Sequence, residues 1–209
     1  MADRQLQKYG RTPIASARAG EMVKIVGWVR ASGSAFTAPL TGESCVWYVT
    51  RVEPYQPWYA AGPPVIEVRS QDFLVDDDSG SAVVRMDHAE VRLAGMSDAW
   101  QREASSADDT YVAMTSLIRA FLEARGVPIR YQPETMFQSL LFGVRPPNEL
   151  RAYYREDVLR EGTRVAVLGR AWQEPDPTAA PINLREPAFR LVLGEASHGV
   201  IVSTETDAF

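Results

Sequence analysis

The chain is poor in the residues that thiol and metal chemistry draw on. Its 209 residues include a single cysteine, Cys45, and two histidines, His88 and His198. A lone cysteine forms no internal disulfide and fits a reducing compartment. Lysine is almost missing too: Lys8 and Lys24 stand alone, and the remaining basic residues are arginine. There is no basic excess. The net charge of -5 and pI of about 5.2 argue against a non-specific nucleic-acid binder, leaving only a local patch for such a role. No run approaches the ~18 apolar residues that would span a bilayer. The polar start, Met1 to Lys8, lacks the apolar core of a signal peptide. A soluble, cytoplasmic protein is expected. No P-loop, G-x-G-x-x-G, H-E-x-x-H or G-x-S-x-G pattern occurs, so neither a cofactor nor a metal is expected.

What is present is β-strand patterning broken by prolines. In Met22 to Arg30, Val23, Ile25, Gly27 and Val29 alternate with Lys24, Val26, Trp28 and Arg30. Period two with β-branched residues predicts a strand. Gly27 inside it suggests a bulge or sharp coil, as a small barrel needs. Thr163 to Trp172 repeats the pattern after the Glu161-Gly162 turn. Cys45 to Val52 and Val65 to Ser70 read as further strands, as do Phe189 to Leu193 and Gly199 to Ser203. Phe73 to Val75 and Ala82 to Met86 flank Asp76-Asp77-Asp78-Ser79-Gly80, a hairpin turn in which carboxylates accept turn hydrogen bonds and Gly80 is free to take positive φ.

Between these strands the pattern turns helical. Tyr111 to Arg125 places Leu117, Ile118, Phe121 and Leu122 on one helix face, with Gly126 and Pro128 as the stop. A second helix is expected over Glu134 to Phe142. A third, Glu149 to Leu159, would be capped by Asn148, with Leu150, Tyr153, Tyr154 and Val158 on one side. Residues 1–13 read as a flexible arm, 14–204 as one domain with a helical insertion near 98–160, and 205–209 as a tail. The fold expected is mainly β (α+β): a small, partly open, OB-like barrel carrying that insertion, with a β-sandwich as the alternative.

Candidate sites are few. Cys45 as a nucleophile would need a base, and its β-run with Val46 and Val49 reads more simply as core. Asp76, Asp77, Asp78 and Ser79 lack the spaced acids and distant glutamate of a calcium loop, which favours a capped turn. Tyr154, Arg155, Glu156 and Asp157 read as packing and helix-surface charges rather than acid-base groups. His88 and His198 read as surface or turn residues. The aromatic excursion Tyr55, Trp58 and Tyr59, with Trp47 and Trp28, is the candidate partner surface, able to grip a peptide or stack bases. Tyr48 is expected to be buried.

Several pieces in order carry a family resemblance. They are Thr12-Pro13-Ile14 with Gly20, Val23-Lys24-Ile25-Val26-Gly27, and Pro39-Leu40-Thr41-Gly42 followed by Cys45-Val46-Trp47-Tyr48. Further on come Phe73-Leu74-Val75-Asp76 with Ser79-Gly80, Tyr154-Arg155-Glu156 with Val158-Leu159, Gly162, Val165, Val167-Leu168-Gly169 and Val200-Ile201-Val202-Ser203-Thr204. Over about residues 12–204 the chain resembles the GIDE, or BAM ("beside a membrane"), domain of mitochondrial RING-type E3 ubiquitin ligases and prokaryotic relatives. Relatives usually carry transmembrane helices, which are missing here. A RING also needs more Cys and His zinc ligands than Cys45, His88 and His198 supply. The resemblance implies a folded module without an established catalytic role, used in relatives for regulation or partner contact. The aromatic, proline-rich excursion makes a non-catalytic module that docks onto a protein partner or onto itself the first reading. Single-stranded nucleic-acid or small-ligand binding by the barrel is the second reading, and a Cys45-dependent hydrolase the third.

Overall fold

The computed structural model describes residues 3–55, 63–94, 112–113, 116–127, 151–177, 188–194 and 199–209. The first alternating segment is strand β1 (Met22–Ala31). Its sequence echo is the long strand β11 (Arg164–Pro175). The two pair antiparallel, Met22–Trp28 against Arg164–Arg170, so the two glycine-containing copies face each other. At Trp28 β1 leaves β11 and pairs with β6 (Phe73–Asp77) through Ala31. Gly27 sits at this handover. A Cβ there would lie 2.3 Å from the Asp76 carbonyl oxygen, so only glycine lets the strands approach.

β6 turns into β7 (Gly80–Val84), which runs parallel to β12 (Phe189–Leu193), and β12 pairs with the second half of β11. That closes a five-stranded barrel. Counted along the chain, the barrel strands go round in the order 1-2-3-5-4-1, the Greek-key arrangement of an OB-type barrel. The barrel is closed rather than partly open, because the β1–β11 ladder seals the seam, and closure excludes the sandwich. Val23, Ile25, Val29, Phe73, Val75, Ala82, Val84, Val165, Val167, Ala171, Leu191 and Leu193 fill its core. Each such buried Val or Leu contributes about 1.5–3 kcal/mol.

Two insertions meet beside the barrel. The connection from β1 to β6 contains β2 (Phe36–Thr37), β3 (Ser44–Cys45), β4 (Trp47–Tyr55) and β5 (Val65–Ser70). The connection from β7 to β11 contains β8 (Glu90–Arg92), β9 (Val112–Ala113), helix α2 (Ser116–Glu123) and β10 (Arg151–Leu159). β10 pairs with β4 along its whole length, giving a second sheet in the order β5-β4-β10-β9. Trp47, Val49 and Leu159 press one face of this sheet into the barrel core. Ile118, Phe121 and Leu122 of α2 cover the other face against Leu40, Val52 and Ala152.

Three expectations change here. Arg151–Leu159 is a strand, not a helix. Tyr153, Tyr154 and Val158 fit either period, and nine residues of ladder to β4 settle the strand. The insertion is helical at α2, which begins at Ser116 rather than Tyr111. It ends as read, with Gly126 at φ 70° and the Val127 N–H donating to the Leu122 carbonyl at 3.1 Å. The helix expected at 134–142 lies outside the described residues. Finally, the terminal arms are docked. Asp3–Gln7 forms a short helix, α1, with Leu6 fully buried against Val26, Ala166, Leu168 and Ala208. Ala208 belongs to a 3-10 turn, Thr206–Ala208. The apolar outer face of β1 and β11 needs this cover. A further strand, β13 (Ile201–Ser203), lies along β11 and carries β8 in parallel.

Candidate interaction surface

The sequence-derived aromatic group is not one surface. Trp47 is buried, because its face of β4 is the one pressed into the barrel core. Trp28 stands on the outer face of β1 and is 56% exposed. Tyr55 ends β4 opposite Arg151. Trp58 and Tyr59 lie outside the described residues. The structure therefore separates Trp28 from Trp47, and Trp47 offers no partner surface.

Around Trp28 the barrel is polar. Its neighbours across the ladders are Arg164 and Asp76. Arg30 grips Asp76 with both ends of its guanidinium, Nε to Oδ2 at 2.6 Å and Nη2 to Oδ1 at 3.1 Å. The Ser81 hydroxyl donates to the same carboxylate. The Arg30 hydrogen bond, the strongest influence, holds the Asp76 carboxyl below the usual carboxylate range. Arg164 lies over the Phe209 ring, 4.8 Å from its centre. The aromatic platform thus has two arginines beside it, one of them already paired with a carboxylate.

The second sheet offers a different surface. On β5, Val65 faces the α2 side with Glu67 and Arg69. Ile66, Val68 and Ser70 occupy the opposite face. Glu67 is tied down: it accepts from the Tyr48 hydroxyl at 2.5 Å, pairs with Arg69 at 3.1 Å and meets Arg125 of the α2 C-terminus. Tyr48 is buried as expected. Ile66 and Val68, by contrast, are 51% and 58% exposed. Among the described residues β5 pairs only with β4, so its outer edge leaves backbone donors and acceptors free. Reading the sequence alone identified the strand and missed its exposed face. The available signal was apolar residues on both faces, Val65 on one and Ile66 and Val68 on the other.

The remaining candidates fall into structural roles. The Cys45 thiol is completely buried, and burial pushes its pKa up, so the reactive thiolate is disfavoured. Asp77 organises the β6–β7 turn: Oδ1 accepts from Ser79 N at 2.7 Å and Gly80 N at 3.0 Å, while Oδ2 accepts from Ile14 N at 3.0 Å. Gly80 does not adopt positive φ there; it is small because Ile14 packs against it. Glu156 does more than a surface charge. Its carboxylate accepts the N–H groups of Leu40 at 3.0 Å and Thr41 at 2.6 Å. Neighbouring Arg155 pairs with Asp157 at 2.9 Å. His88 is an exposed turn residue with φ 61°, and His198 lies outside the described residues. Among the described residues no group of three or more His, Cys, Asp and Glu side chains is placed to hold a metal, and no helix is long and apolar enough to cross a membrane.

These features define an OB-type barrel with a second sheet attached, whose β5 edge is unpaired among the described residues. No protein-family model, curated protein or solved structure matches the chain.

Proposed function

We infer that the chain is a non-catalytic protein-interaction module of the GIDE-like kind. The observation that carries this reading is the β5 edge, unpaired among the described residues, with Ile66 and Val68 exposed beside it. Natural proteins usually blunt such an edge with lysine, proline or a bulge. Pro63 and Pro64 precede β5, and within it there is neither proline nor lysine. Its charged residues, Glu67 and Arg69, lie on the α2 face, so the opposite face presents Ile66 and Val68 along an edge that another strand can join. The buried Cys45 and its raised pKa speak against thiol catalysis. The test is an immobilised chain exposed to native extract, beside the double variant Ile66→Lys/Val68→Lys. The wild type should retain a defined protein or more copies of itself, and the variant should lose it. Equal, empty eluates from both would remove the reading.

A second reading is favoured by Trp28. Single-stranded nucleic acid could stack on its exposed ring beside Arg30 and Arg164. Titration of Trp fluorescence with single-stranded DNA and RNA at low salt should then quench, with the effect lost on raising salt and in Trp28→Ala. A flat titration excludes it.

A further inference from the structure

We propose that β5 docks a second copy of this chain, by antiparallel β5–β5 pairing about a two-fold axis through Val68. The proposal rests on the interaction reading above and names its partner.

The choice of partner comes from register. A two-fold axis perpendicular to the sheet keeps each face on its own side, so residues of one face meet residues of the same face. Each central residue then fixes every other pair. Centring on Glu67 sets two glutamates opposite each other, and centring on Arg69 sets two arginines so; like charges directly opposite are destabilising. Centring on Ile66 puts Val68 against Pro64 of the partner subunit, which has no N–H for a ladder. Centring on Val68 works on both faces. Glu67 meets Arg69 of the partner subunit, twice by symmetry, and Arg69 is the exposed member of the existing pair, with 60% of its side chain open. On the other face Val68 meets the partner subunit's Val68, with Ile66 diagonal to it. Val68 covers its own copy, and Ile66 stands opposite Ser70 of the partner subunit and packs diagonally on the partner subunit's Val68. One strand thus carries a self-complementary charge pattern and a self-complementary apolar pair, in a single register.

The experiment is sedimentation velocity over a dilution series, with mild oxidation of cysteine variants. Wild type should reach twice the chain mass as concentration rises. Val68→Lys and Arg69→Glu should stay at single-chain mass with unchanged circular dichroism. Val68→Cys should form a disulfide-linked dimer, since a self-opposed pair brings its own Cβ atoms together. Leu117→Cys, exposed on α2, should not. Cys45 is buried and does not interfere. A dimer that survives Val68→Lys overturns β5 as the site. Wild type that is monomeric throughout overturns self-pairing. In that case, extract capture lost in Ile66→Lys/Val68→Lys leaves the interaction reading standing with a different partner. No capture at all removes both.

Discussion

The Glu156 carboxylate accepts a 2.6 Å hydrogen bond from the hydroxyl of Thr50, a fully buried residue directly opposite it in the β4–β10 ladder. Glu156 belongs to one insertion; Thr50, Leu40 and Thr41 belong to the other. One carboxylate therefore fastens the two insertions together, and it holds the turn at residues 38–42, where Gly42 takes φ 71°. Thr50→Val should cost about 1.5–3 kcal/mol, the net worth of a hydrogen bond to a charged group. Glu156→Ala should cost about 1–3 kcal/mol, because two backbone N–H groups lose their acceptor. Urea denaturation measures both. The double variant should be less destabilised than the sum, by roughly 0.5–3 kcal/mol of coupling. Strict additivity would show that the clamp does not act as a unit.

Gly27→Ala probes the barrel seam. The added Cβ would sit 2.3 Å from the Asp76 carbonyl oxygen and 2.9 Å from Val75 Cγ2. The carbonyl belongs to backbone and cannot swing away, so β1 and β6 must separate. Overpacking of this kind costs about 1–3 kcal/mol or more. Gly33→Ala, where a Cβ meets nothing within 4 Å, is the control and should be near neutral. Thermal melts of the two variants should separate clearly; equal midpoints would mean the seam relaxes freely.

The barrel was legible because its interior imposes one simple rule. Val23, Ile25, Gly27 and Val29 alternate for the same reason as Val165, Val167, Gly169 and Ala171: each set lines one closed core. What was not legible depends on partners distant in sequence. Tyr153, Tyr154 and Val158 satisfy a helical spacing, and only the ladder to β4 makes them a strand. Trp28 and Trp47 are the same residue type in similar β-runs. One is exposed and the other buried because the second sheet presses the Trp47 face into the barrel. Ile66 and Val68 share one face of β5 and Val65 the other, a two-sided apolar pattern that shows in the sequence, but which face stays uncovered depends on α2 packing over the Val65 side. Glu156 looked like a surface charge since its donors lie more than a hundred residues earlier.

The docked N-terminal helix makes a prediction that a flexible arm would not. Leu6 is buried among Val26, Ala166, Leu168 and Ala208. Leu6→Ala should lower unfolding stability by about 2–5 kcal/mol, the usual loss for a buried leucine. Gln5→Ala, on the exposed side of the same helix, should change it little. Equal midpoints in urea for Leu6→Ala and wild type would return residues 3–7 to the status of a loose arm.

Acid should loosen the β6–β7 turn through Asp77. Burial alone would raise the Asp77 pKa. Hydrogen bonds from Ser79, Ile14 and Gly80 outweigh it and hold the carboxyl below its ordinary value of 3.8. A carboxyl depressed in the folded state binds its proton more tightly when unfolded. Its stabilisation is therefore complete above the unfolded value and fades as pH falls through the folded one. Wild type should lose stability below about pH 4, in part through Asp77, with Asp76 contributing in the same direction through Arg30. Asp77→Asn should be less stable than wild type at neutral pH, because Asn offers one acceptor oxygen where the carboxylate offers two. The gap should narrow as pH drops below 4, since wild type then loses what the variant never had. Urea midpoints at several pH values measure the gap, and one that stays constant down to pH 2.5 would place the acid sensitivity elsewhere.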